Sequence, residues 1–167
     1  NGPGTIAHEW FHALDNFLFL ESGGADTNAS PYLSVFRNDK SRRELEAASA
    51  MRYVFDAAKS EGVAARAAEC DRRRGKKYFS LPQEMCAMCF ESFVSSELEK
   101  RGWTNDWLVN IVPETGFEVF HPEGDGAGFD CWPYPKEENV GVFEAPFGAL
   151  MKAFVEEVRN VRERRNE

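Results

Sequence analysis

The stretch Thr5-Ile6-Ala7-His8-Glu9-Trp10-Phe11-His12-Ala13-Leu14-Asp15 decides how this chain is understood. Ile6, Trp10, Phe11, Leu14 and Leu18 recur at the three- and four-residue spacing of one helix face, and Thr5 stands where an N-cap belongs. His8 and His12 are four residues apart, so on a helix one lies above the other and both imidazoles can reach a single metal ion. Glu9 projects beside them and can take a proton from water that the metal activates. Zinc suits this donor set because it accepts nitrogen and carboxylate ligands tetrahedrally at about 2.0–2.2 Å. The alternative is an amphipathic helix with two polar rings on its outer face.

A site of this kind needs a third protein ligand. The chain has three His, and the last, His121, falls in the loop His121-Pro122-Glu123-Gly124 and reads as solvated. Carboxylates on a later helix are better candidates. Glu84 and Glu91 are seven apart, on one helix face two turns from each other. Both are embedded among Met85, Cys86, Ala87, Met88, Cys89 and Phe90, where an unpaired carboxylate is costly. Glu84 is the favoured ligand, with Glu91 the alternative and the other of the pair behind it. Glu84 could also serve only the start of its helix. Asp15 shares a face with His12 and could accept a hydrogen bond from a ligand His, fixing its tautomer, or simply lie exposed near a helix end. Cys86-Ala87-Met88-Cys89 invites a metal or redox reading. Cys70 and Cys131 are too far apart to supply a second close pair, and no strand precedes the motif, so these thiols read as core packing.

Around these helices the rest of the chain orders itself. Residues 21–38 read as an irregular surface loop. Ser41 with Glu44 has the form of a capping box before the stripe Leu45, Ala48, Met51, Phe55 and Ala58, which Gly62 stops. An Ala-rich helix follows over about Val63 to Arg74, with Gly75 past its end. Ser80 with Gln83 forms a second capping box, and Pro82 suits the first turn. That helix carries Met85, Met88, Cys89, Phe93 and Leu98 and stops at Gly102. Residues 103–144 read as a long loop region with a short hairpin around Gly116. A last helix starts near Pro146 and runs through Leu150, Phe154, Val158 and Val161. The fold expected is mainly α, α+β at most, in a single domain spanning 1–167. The Asn1 start suggests a piece of a longer polypeptide.

The 167 residues, 43% hydrophobic with 14 Phe, are enough for a real core and exclude a disordered chain. No apolar run approaches the ~20 residues that span a bilayer, so no membrane partner is expected. Four Cys without a signal-like start read as reduced thiols in the cytoplasm. The formal net charge is −8, and residues 97–144, with 3 bases and 11 acids, carry a balance of −8 by themselves. That segment is a possible protein-partner face. The basic runs Arg72–Lys77 and Arg159–Arg165 read as solvated helix ends rather than a nucleic-acid surface.

The block Gly2-Pro3-Gly4-Thr5-Ile6-Ala7-His8-Glu9-Trp10-Phe11-His12-Ala13-Leu14-Asp15 resembles the H-E-W-x-H-A-L-D block of a large polyvalent protein-associated domain of phages and conjugative elements. The resemblance continues through Tyr78–Met85, Phe90–Val94, Trp107–Asn110 and Trp132–Pro135 to the last helix. It implies a zincin-like core, with an H-E-x-x-H helix packed on a Glu-bearing helix, and a zinc-dependent metallopeptidase-like activity on a protein or peptide substrate. His8 and His12 would be metal ligands, Glu9 the catalytic carboxylate, and Glu84 or Glu91 the completing ligand. The implied setting is the cytoplasm of a bacterial host or recipient cell. Cys86 and Cys89 depart from the family's pattern, in keeping with a packing role. Zincins align substrate on an edge strand upstream of the His helix, and here seven residues precede His8. That strand is expected to lie outside this segment, or to be replaced by the later hairpin, or its lack to leave a non-catalytic interaction module.

Overall fold

The computed structural model describes residues 5–25, 30–39, 45–114, 118–119, 129–130 and 132–167. The chain makes helices α1 (Ile6–Glu21), α2 (Leu33–Phe36), α3 (Glu46–Ser60), α4 (Val63–Arg74), α5 (Pro82–Glu99) and α6 (Glu144–Asn166). A 3-10 helix over Glu137–Phe143 leads into α6, and strands β1 (Glu118–Val119) and β2 (Phe129–Asp130) pair antiparallel, Glu118 opposite Asp130. The expected mainly α architecture is therefore found. Both strands lie beyond Gly116, further along the chain than a hairpin at that residue requires; Gly116 itself lies outside the described residues.

Most of the apolar stripe residues read from the sequence lie on packing faces, but Ile6 and Trp10 of the α1 stripe are 53% and 40% exposed. Phe11, Leu14 and Leu18 of α1 are buried against α5, which contributes Met85, Met88 and Phe90. α3 packs on α6 through Met51 and Val54 on one side and Leu150 and Ala153 on the other. Phe90 ties the layers together, with ring centroids 5.6 Å from Trp10, 5.4 Å from Phe11 and 5.3 Å from Phe147. Each fully buried Phe or Leu of this cluster contributes roughly 1.5–3 kcal/mol of hydrophobic stabilisation. α1 ends in a tight turn: the Gly24 N–H donates to the Phe19 carbonyl at 3.0 Å, and a Cβ on Gly24 would fall 2.3 Å from the Phe19 ring. Gly62 and Gly75 bound α4 with left-handed φ of 69° and 73°, conformations that glycine takes without a Cβ penalty.

Several local expectations are corrected. α2 sits inside the segment read as loop, because its Ser34 is held by the buried Asp15 of α1. Ser80 does not cap α5. Its N–H and hydroxyl both donate to Asp71 of α4, and Leu81 takes the N-cap position in extended backbone. The Ser41–Glu44 pair lies outside the described residues. Cys86 and Cys89 are free and fully buried, as the packing reading requires, and burial pushes both thiols up. Cys70 is disulfide-bonded, so the four Cys are not all reduced thiols and cysteine chemistry no longer points to the cytoplasm. Cys131 lies outside the described residues. No helix among the described residues is long and apolar enough to cross a membrane.

Candidate metal centre

The packing of α1 on α5 brings the H-E-x-x-H helix against the two carboxylates of the second helix. His8 and His12, one turn apart on α1, stand with ring centroids 4.8 Å apart and planes nearly perpendicular. Glu84, in the first turn of α5, places Oε2 at 3.4 Å from His8 Nε2 and 3.6 Å from His12 Nε2. The ligating atoms of His8, His12 and Glu84 all lie within 4.8 Å of one another, and among the described residues this is the group with that property. Glu91, two turns further along α5, meets the other side of the same ring: its Oε2 lies 3.6 Å from His8 Nδ1. The two carboxylates thus divide the His8 imidazole between them, Glu84 at Nε2 and Glu91 at Nδ1.

These contacts are longer than compact N–H···O hydrogen bonds, which cluster at about 2.7–3.2 Å. They match another length. Two ligand atoms each about 2.0–2.1 Å from one tetrahedral zinc stand about 3.3–3.4 Å apart. The donor chemistry of two imidazoles and a carboxylate fits the same ion. His12 adds an orphan: its Nδ1 is buried with no hydrogen-bond partner.

The electrostatics follow from this crowding. Burial disfavours a charged His8, but hydrogen bonding and charge from Glu84 and Glu91 outweigh it and lift its pKa from 6.5 to about 9. Burial alone would raise Glu84; hydrogen bonding to His12 and His8 overcomes it and holds the carboxyl well below the usual range. Asp15 does not take the expected place behind a ligand His. Its Oδ1 accepts the Ser34 N–H at 2.8 Å and its Oδ2 the Ser34 hydroxyl at 2.5 Å, and burial lifts its pKa from 3.8 to about 6 against those bonds. Glu9 is exposed, one residue past His8 and open to solvent.

Three tyrosines that the sequence did not single out surround the cluster. Tyr32, just before α2, has its ring 5.5 Å from that of His12. Tyr78 lies between α4 and α5, and burial with the Glu84 and Glu9 charges pushes its phenol up to about 12. Tyr134 donates its hydroxyl to Glu91 Oε2 at 3.3 Å. All three lie in irregular segments, where no periodicity marks a residue as facing the site. His121 lies outside the described residues. The basic runs are partly consumed within the fold: Arg72 and Arg73 pair with Glu69, and Arg164 with Glu21 and Glu157.

The class of protein so defined is a mainly helical domain that brings two His of one helix and a Glu of another to a common point. The chain belongs to the large polyvalent protein-associated domain 1 family, whose model matches residues 70–158. This family points to a phage or mobile-element protein. The match contains Glu84, Glu91, Tyr78 and Tyr134; the His8–His12 helix lies before it. No curated protein and no solved structure matches the chain.

Proposed function

We propose that the chain is a zinc-dependent, peptidase-like domain in which His8, His12 and Glu84 hold the metal. The observation that carries this reading is that one Glu84 oxygen meets both imidazoles, 3.4 Å from His8 Nε2 and 3.6 Å from His12 Nε2, close to the edge of a tetrahedral ligand set. Zinc in such a site lowers the pKa of a water to about 7 and polarises a substrate carbonyl. The chain's own groups supply the rest. Glu9 accepts the proton of the attacking water and returns it to the departing amine, so that amide and water become carboxylic acid and amine. Glu91 accepts a hydrogen bond from the Nδ1–H of His8, which keeps the proton there and leaves the Nε2 lone pair for the metal. The substrate class is an exposed or unfolded polypeptide. The test is hydrolysis of an unfolded protein substrate by the zinc-loaded chain. Activity that disappears in Glu9→Gln while zinc content stays unchanged supports the reading; zinc-loaded wild type that cleaves nothing contradicts it.

A second reading rests on a different surface. Trp103, Trp107 and Val112 are 59%, 69% and 49% exposed within the acidic 97–144 segment. Clustered exposed aromatics of this size favour a protein partner. In this reading the scaffold binds rather than cleaves. Trp107→Ala would abolish partner capture while Glu9→Gln leaves it intact.

A further inference from the structure

Helix α4 supplies none of the residues of the His–Glu cluster, yet it grips two segments that run beside it. Arg66 donates from Nη2 to the Tyr134 carbonyl at 3.1 Å, from Nε to the Trp132 carbonyl at 3.3 Å and from Nη1 to the Glu61 carbonyl at 3.1 Å. One turn on, Cys70 is disulfide-bonded. The next residue, Asp71, accepts the backbone N–H groups of Tyr78, Phe79 and Ser80 at 3.0, 2.9 and 2.9 Å, and the Ser80 hydroxyl at 2.5 Å. One of these anchored segments presents a phenol to a carboxylate: Tyr134 donates to Glu91, on the Nδ1 side of His8. The other leads into α5 just ahead of Glu84.

We propose that Tyr134 is a positioning residue of the metal centre, and that α4 is the bracket that sets it through Arg66. This inference rests on the metal reading given above. Glu91 is 4% exposed, so protein donors rather than bulk water must orient it. A phenol suits this role, because it donates one hydrogen bond and brings no positive charge, so the carboxylate keeps its full charge for the imidazole. With Tyr134 on Oε2, Glu91 is held towards His8 Nδ1, and the proton stays on that nitrogen. Partners of metal ligands at this remove tune affinity by about 10–100-fold.

The test uses Tyr134→Phe, which keeps the ring on Trp132, 5.0 Å between centroids, and removes only the hydroxyl. Zinc affinity is measured by competition with a chromophoric chelator. The substitution should weaken zinc by about tenfold with melting temperature nearly unchanged. Arg66→Gln should weaken zinc in the same way as Tyr134→Phe, and combining the two should add little, because both act through one link. Wild-type affinity in Tyr134→Phe overturns the proposal. A metal-free readout separates it from the zinc reading: in the neutral imidazole, ¹⁵N shifts of the His8 ring report which nitrogen carries the proton. Wild type should favour Nδ1–H, and Tyr134→Phe should shift protons towards Nε2. If wild type takes up no zinc, the metal reading falls and these shifts alone decide the bracket: unchanged shifts overturn it.

Discussion

Two kinds of buried polar cluster lie within a few turns of each other. Asp15 with Ser34, and Asp71 with residues 78–80, close on themselves with hydrogen bonds of 2.5–3.0 Å. His8, His12, Glu84 and Glu91 meet at 3.4–3.6 Å, and His12 Nδ1 is left without a partner. Folding gives every reason to shorten such contacts, since an unsatisfied buried polar group costs about 1–3 kcal/mol. The aspartate clusters join one element to another. The His–Glu cluster stands more open: one long hydrogen bond, His8 to Glu84 at 3.4 Å, and contacts of 3.6 Å, near the spacing of ligands around an ion. The difference separates polar groups that hold the fold from polar groups that the fold holds ready.

Truncating one member of the open cluster puts this difference under the greatest strain. His12→Ala should weaken zinc by more than about 100-fold, beyond the loss of an outer partner, yet change metal-free stability by under about 1 kcal/mol. Chelator competition and urea unfolding check the two halves. A large stability loss without a change in zinc affinity would place His12 with the aspartates. The reverse pattern is expected at Asp71→Ala, which strands three backbone N–H groups and a hydroxyl and should cost about 3 kcal/mol in urea unfolding.

A pH series separates the two kinds of cluster again. His8 binds its proton more tightly folded than unfolded, with a pKa of about 9 against 6.5. The stability this gives is complete below pH 6.5 and is lost as pH rises through 9. Asp15, raised from 3.8 to about 6, acts in the same direction over its lower window. Metal-free protein should therefore lose about 2 kcal/mol between pH 6 and 9.5, after allowance for solvent screening. Zinc and the proton compete for His8 Nε2, so the stabilisation conferred by zinc should grow over the same range. The smallest effect belongs to the closed class: Ser80→Ala removes one hydroxyl from Asp71 and should cost about 1 kcal/mol.

Much of this was legible in the sequence wherever a period carried it. The α1 and α5 stripes, the glycines bounding α4 and the apolar setting of Glu84 and Glu91 are local signals, and the structure keeps them. Spacing put both glutamates on one face but could not say which side of the His8 ring each would meet; that depends on how α1 lies on α5. Ser80 read as a cap because capping boxes are local, whereas its partner Asp71 is nine residues back on another helix. Asp15 read as a partner for histidine because Ser34 lies nineteen residues ahead in a segment without periodicity. Tyr32, Tyr78 and Tyr134 had no local signature, and only tertiary packing selects them from the other aromatics.

Whether the open cluster is a metal site is decided by the zinc content of the purified chain. It is measured by elemental analysis after dialysis against metal-limited buffer, beside His12→Ala and Glu84→Gln. We expect a single equivalent of zinc in the wild type and almost none in either variant. A wild type without zinc, or variants that retain as much as wild type, would contradict the metal reading.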